Sequence, residues 1–242
     1  MLPVPEESRE KVYCLEDPRW FAPINVISHY SSHLDSLPRE QKKTKAFRKA
    51  YELFLGAIML LGIQEVENDV YWIQPVSDEE QSPDVRTGRQ VPVNNGHAPD
   101  FERQDIEVVA FIPKPGENLS EFLQRTKLSG NKSYDSKTTI LCHIQTGSPV
   151  PKITITDELR KTKAVCPVLV LGRTHPTDHQ YLLLQVSPNY KIIAQYDAKA
   201  LLLKQAHQGS LNLRRGSKPD NEHRPNDKHY PFESMGFTCS LI

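Results

Sequence analysis

Apolar residues recur at three- and four-residue spacing through Phe47, Ala50, Tyr51, Phe54, Ala57, Ile58 and Leu61. That period predicts an amphipathic helix over 39–63, with Gly62 placed to stop it. A shorter helix is expected within 24–37, ending before Pro38. From residue 69 the period changes to two. DVYWIQPV at 69–76 predicts a strand, and a short extended piece at 82–87 carries Pro83-Asp84. Residues 88–104, with the Asn95-Gly96 turn signal, read as a loop. DIEVVAFI at 105–112 is the strongest strand pattern. A helix follows at 118–127, with Leu119, Phe122 and Leu123 on one face, then a strand at 138–145. A short helix at 156–164, strands at 166–172, 180–187 and 190–196, and a helix at 198–208 complete the pattern.

Strands interleaved with helices predict an α/β fold, with α+β as the variant, and a central mixed sheet flanked by helices. Residues 1–38 read as an N-terminal arm and 39–208 as a single domain. Residues 209–242 read as a polar flexible tail whose last residues turn apolar again. The 242 residues suit one large domain or two small ones. At 38% hydrophobic and 25% charged, the composition excludes a wholly disordered chain, a collagen and a disulfide scaffold. No apolar run approaches the length of a membrane span, and Glu6-Glu7 stand where a signal peptide carries base, so an intracellular (cytoplasmic) protein is expected.

Thirty Lys plus Arg against thirty Asp plus Glu argue against a general polyanion binder but leave room for a local basic face. One such face opens the long helix, at Arg39, Lys42, Lys43, Lys45, Arg48 and Lys49. Cations at a helix N-terminus oppose the macrodipole, so this run points toward a partner such as phosphate. Cys14, Cys142, Cys166 and Cys239 form no Cys-x-x-Cys pair; Cys142 and Cys166 read as buried reduced thiols.

The acids suggest chemistry. In a strand at 105–112, Ile106, Val108 and Ala110 point to one side, and Asp105 and Glu107 to the other. Two carboxylates one pleat apart repel each other, so water, a basic neighbour or a divalent cation must compensate. Asp84 from an adjacent strand would complete a set of oxygen ligands for Mg²⁺ or Mn²⁺. Each acid also has an ordinary reading. Asp84 after a proline is a common turn pair, and Glu52 suits the exposed side of an amphipathic helix.

The joint order is more specific: a helix with an internal acid (Glu52), strands carrying Pro83-Asp84 and Asp105-Ile106-Glu107, then a helix at 118–127 and a strand at 138–145. Over residues 39–145 it resembles the core of the PD-(D/E)xK restriction-endonuclease-like nuclease superfamily. The resemblance implies a metal-dependent nuclease acting on DNA, with Asp84 and Asp105 as metal ligands; Glu107 is expected to ligate the metal or orient the attacking water, and Glu52 to support the site. The basic start of the long helix, with Lys42, Lys45, Arg48 and Lys49, is expected to meet the substrate phosphate, and Gln145 is similar in placement to polar residues that line this site in the superfamily. A homodimer or a partner subunit would accompany double-strand cleavage. Glu107 stands where the superfamily usually has lysine. A second register makes Glu107 the second acid and leaves Val109 in the lysine's place, so that the lysine role migrates or the site is dead. The alternative function is a non-catalytic interaction protein on a similar α/β core.

Other candidates are weaker. Pro99-Asp100 lies too close to Asp105 to leave room for a strand and a turn. His29 and His33 lack further zinc ligands, and His175 and His179 flank a predicted turn. His143 shares a strand side with Gln145 and is a candidate proton carrier. No phosphate-binding glycine loop, dinucleotide fingerprint or Gly-x-Ser-x-Gly motif is present.

Overall fold

A computed structural model of the chain describes residues 20–34, 44–76, 83–91, 100–112, 114–128, 134, 137–144, 166–174 and 179–205. The fold is α/β, with a central mixed sheet flanked by helices. The helices are α1 (Pro23–Leu34), α2 (Lys45–Glu67), α3 (Leu119–Leu123), which runs on as a π-helical turn over Gln124–Leu128, and α4 (198–205). The strands are β1 (Tyr71–Pro75), β2 (Val85–Val91), β3 (Asp100–Ala110), β4 (Thr138–Ile144), β5 (Val168–Arg173), β6 (Gln180–Ser187) and β7 (Lys191–Asp197).

The seven strands lie side by side in chain order. β3, β4 and β5 run parallel, and every other neighbouring pair is antiparallel. The parallel centre is covered on both faces, and every residue of β4 is buried. On one face Ile106, Val108, Leu141, Leu169 and Leu183 pack under α1 and α2. On the other, Ile140, Cys142, Val168 and Val170 pack under Leu119, Phe122 and Leu123 of α3. Helix α2 meets both β1 and β7, the two edge strands, so the sheet curls around it. Among the described residues no helix is long and apolar enough to cross a membrane.

Several boundaries differ from the sequence expectation. Helix α2 starts at a cap, not at residue 39: the Thr44 hydroxyl accepts the Phe47 N–H at 3.2 Å. It also runs past Gly62 to a left-handed Asn68. Gly62 is needed for close approach instead, since a Cβ there would lie 2.3 Å from the Tyr196 ring. Residues 88–104 are not all loop, because β2 extends to Val91 and β3 begins at Asp100. Asp100, set aside as too close to Asp105, opens the same strand. Segment 20–34, within the expected arm, packs Val26, Ile27 and Tyr30 into the core, and the Tyr30 hydroxyl donates to the Phe47 carbonyl. The expected helix at 156–164 and the tail at 209–242 lie outside the described residues.

Candidate functional site

The site begins at a fork in the sheet. β2 and β3 pair from Val91 opposite Asp100 down to Val85 opposite Ile106. Beyond that point β3 continues beside β4 alone, with Glu107 opposite Ile140 and Val108 opposite Leu141. The Val108 N–H is therefore left without a β2 partner in the ladder. Asp84 supplies one from its side chain: its own N–H donates to the Ile106 carbonyl at 3.0 Å, and its Oδ2 accepts the Val108 N–H at 2.8 Å. A backbone donor that would be costly to bury alone is thus matched by a carboxylate.

Because Asp84 sits at the end of the ladder, both faces of the sheet reach it. From the α2 face, Lys49 Nζ bonds Asp84 Oδ1 at 2.9 Å and lies 3.4 Å from Glu52 Oε2. From the α3 face, Lys127 Nζ bonds Glu107 Oε2 at 2.5 Å and lies 3.6 Å from Asp84 Oδ2. The Glu107 side chain is only 4% exposed and that of Lys127 11%. Three carboxylates and two ammonium groups thus form one linked, largely buried cluster, with Asp84 shared between the two lysines.

Local structure explains how Lys127 reaches this place. Helix α3 opens with a capping box, in which the Asn118 side chain accepts the Glu121 N–H and Glu121 accepts the Asn118 N–H. Arg125 clamps Glu117 with two hydrogen bonds, at 2.6 and 2.8 Å. The π turn then widens the helix at Gln124–Leu128 and carries Lys127 inward. Beside the acids, the buried Tyr134 hydroxyl has its pKa raised, by burial first and then by Glu107, Cys166 and Asp84.

The charges set the proton affinities. Burial pushes the Asp84 carboxyl up, but Lys127, the Lys49 hydrogen bond and the Val108 N–H outweigh it and hold Asp84 below its ordinary value. Glu52 is raised, by burial first and then by the Asp84 charge. Burial alone would lower Lys49, yet Asp84 and Glu52 reverse the sign and raise it.

The structure brings together four of the residues singled out from sequence: Glu52, Asp84, Glu107 and Lys49. Asp105 stands apart from them, opposite Arg86 in the β2–β3 ladder, 3.8 Å from the Arg86 guanidinium and 43% exposed at its side chain. Lys45 and Arg48 are exposed on the first turns of α2, whereas Lys49 turns inward. Lys42 and Gln145 lie outside the described residues. His143 faces α2, with its ring edge-on to Tyr51 at 6.0 Å, while Glu107 belongs to the opposite face with Lys127. Lys127 was not singled out from sequence. Its signal was present, because it lies four residues after Leu123, on the apolar face of its helix, where a cation needs a buried acid.

Among the described residues, no group of three or more His, Cys, Asp or Glu is arranged to hold a metal ion. Comparison with known proteins adds no relative, since no family model, curated protein or solved structure matches the chain.

Proposed function

We propose that the chain is a metal-dependent nuclease that hydrolyses DNA phosphodiester bonds, with Asp84 and Glu107 as the carboxylates that hold Mg²⁺ or Mn²⁺. The observation that carries this reading is the convergence of Asp84 and Glu107 on one ammonium, Lys127, at the fork between β2 and β3. The donors fit a hard cation. They are all oxygen, and such ions are commonly held by one or two carboxylates, with water and substrate phosphate as further ligands. When bound, the ion supplies charge neutralisation at the phosphate and lowers the pKa of water.

The chain's own residues divide the remaining work. Lys127 gives the fixed positive charge that Val109 does not, and steadies negative charge gathering on the phosphate oxygens. Glu52 orients Lys49 beside Asp84. Lys45 and Arg48 meet backbone phosphates along the DNA. This reading assigns no metal-ligand role to Asp105, which lies 3.8 Å from Arg86 with its side chain 43% exposed. Its pairing with Arg86 on a more exposed stretch of β3 suits a surface ion pair.

A non-catalytic interaction protein is the second reading. The lysines already lie beside all three acids, which favours it: such a cluster stands without a metal. A plasmid-nicking assay with Mg²⁺ or Mn²⁺ separates the two. Nicking by the wild type that disappears in Asp84→Asn and Glu107→Gln, with both variants still folded by circular dichroism, supports the nuclease. Absence of nicking and of cation binding in the wild type supports the interaction protein.

A further inference from the structure

A second polar cluster lies on the α2 face of the sheet, at the carboxyl ends of β4 and β5. His143 is the next-to-last residue of β4, and Arg173 is the last of β5. His143 stands opposite Leu171 in the parallel ladder. Arg173, two residues further on, points to the same face by alternation. Tyr51 of α2 meets the His143 ring edge-on. Arg173 Nε donates to the Tyr181 hydroxyl at 3.1 Å, and the guanidinium lies over the Tyr181 ring at 5.5 Å, which fixes its plane. Parallel sheets commonly bind ligands at this end of their strands.

The cluster is not self-sufficient. His143 is 5% exposed, and its Nδ1 is buried without a hydrogen bond. An unpaired buried atom of this kind costs free energy. The titratable and charged groups that face His143 are Tyr51 from α2 and Arg173 from β5, with Tyr181 from β6 behind Arg173. None of these is an acid. Burial, and then the Arg173 charge, hold the imidazole neutral with a pKa of about 4. Arg173 is exposed, so the cluster opens to solvent. An oxyanion placed there would pair with the guanidinium and offset the repulsion that keeps a proton off His143.

We propose that this cluster binds a phosphate group, with the Arg173 guanidinium and the Tyr51 hydroxyl as donors and with His143 taking up a proton from solvent as the anion enters. The site stands apart from Asp84 and Glu107 and does not depend on the nuclease reading. Its ligand is a phosphomonoester, on the end of a nucleic acid or on a small molecule. A monoester carries about two negative charges at neutral pH, which matches a guanidinium and an imidazolium.

Calorimetric titration of sulfate, a dianion throughout the range used, tests the site in the wild type, Arg173→Gln and His143→Gln. Wild-type binding is expected to tighten about tenfold as pH falls from about 7.5 to about 5.5, with proton uptake read from the dependence of the heat on the buffer. Arg173→Gln is expected to lose binding at both pH values, and His143→Gln to bind without pH dependence. If His143→Gln does not fold, proton uptake by the wild type decides alone. Binding without proton uptake, binding unchanged in Arg173→Gln, or no binding by the wild type overturns the site. Competition against sulfate then identifies the source. An oligonucleotide that competes only when 5′-phosphorylated assigns the site to nucleic-acid ends. Competition by phenyl phosphate but by neither oligonucleotide assigns it to a small molecule. Competition by none of them, or equally by both oligonucleotides, overturns the phosphomonoester.

Discussion

Asp84 caps a backbone N–H, accepts from Lys49 and faces Lys127. Much of this residue-scale chemistry was legible, because Pro83-Asp84 and Glu107 sit on strand patterns where alternation is a local property. The partners were not. Lys49 read as one of a run of helix-surface cations, and Lys127 as the end of a short helix; their distance from the acids is set by packing across two faces of a sheet. Lys127 and Glu107 are also a buried pair, and breaking one side of such a pair leaves an uncompensated charge. Lys127→Met is therefore expected to destabilise the protein by about 3 kcal/mol. Lys127→Met combined with Glu107→Gln is expected to recover most of that loss, because the stranded charge is gone. Urea unfolding of the two singles and the double measures the coupling; additive losses would mean that the pair contributes nothing.

At the scale of elements, the hydrophobic period located α2 and the central strands, and it erred at their ends. Gly62 illustrates why. As a helix residue it costs about 1 kcal/mol against alanine and reads as a stop. In the fold it lets Tyr196 lie against the helix and donate to the Ile58 carbonyl at 2.6 Å. Gly62→Ala should therefore go against propensity and destabilise by about 1–3 kcal/mol, since the added methyl meets an aromatic ring and not a flexible chain end. A thermal melt at or above the wild-type midpoint would show that the ring moves aside freely. The β2–β3 hairpin shows the converse error. VRTGRQV has little apolar alternation, and its strand character comes from pairing with β3.

At the scale of the molecule, His143 lies in the middle of the sheet, where the fold makes stability depend on pH. Burial, and then the charge of Arg173, depress its pKa to about 4 from an ordinary 6.5. A depressed histidine is neutral in the fold, so its contribution is complete above pH 6.5 and is lost as pH falls through about 4. Between pH 7.5 and 4.5 the wild type is expected to lose about 2 to 3 kcal/mol through this group. His143→Gln, which does not titrate, should show a flatter profile in denaturant titrations at the two pH values. An unchanged slope in the variant would place the dependence elsewhere.

Periodicity, turn residues and acid spacing in the sequence by themselves determined the α/β class, the long helix, the central strands and the acids Asp84 and Glu107. These are local properties, readable from a few neighbouring positions. Tertiary structure alone decided that β2 parts from β3 at Asp84, that Asp105 pairs with Arg86, and that Lys49 and Lys127 reach one carboxylate from opposite faces. Those facts depend on register and on the packing of segments up to 78 residues apart, as between Lys49 and Lys127. A hydrophobic pattern specifies which side of an element is buried, but not which charged residue of another element meets it there.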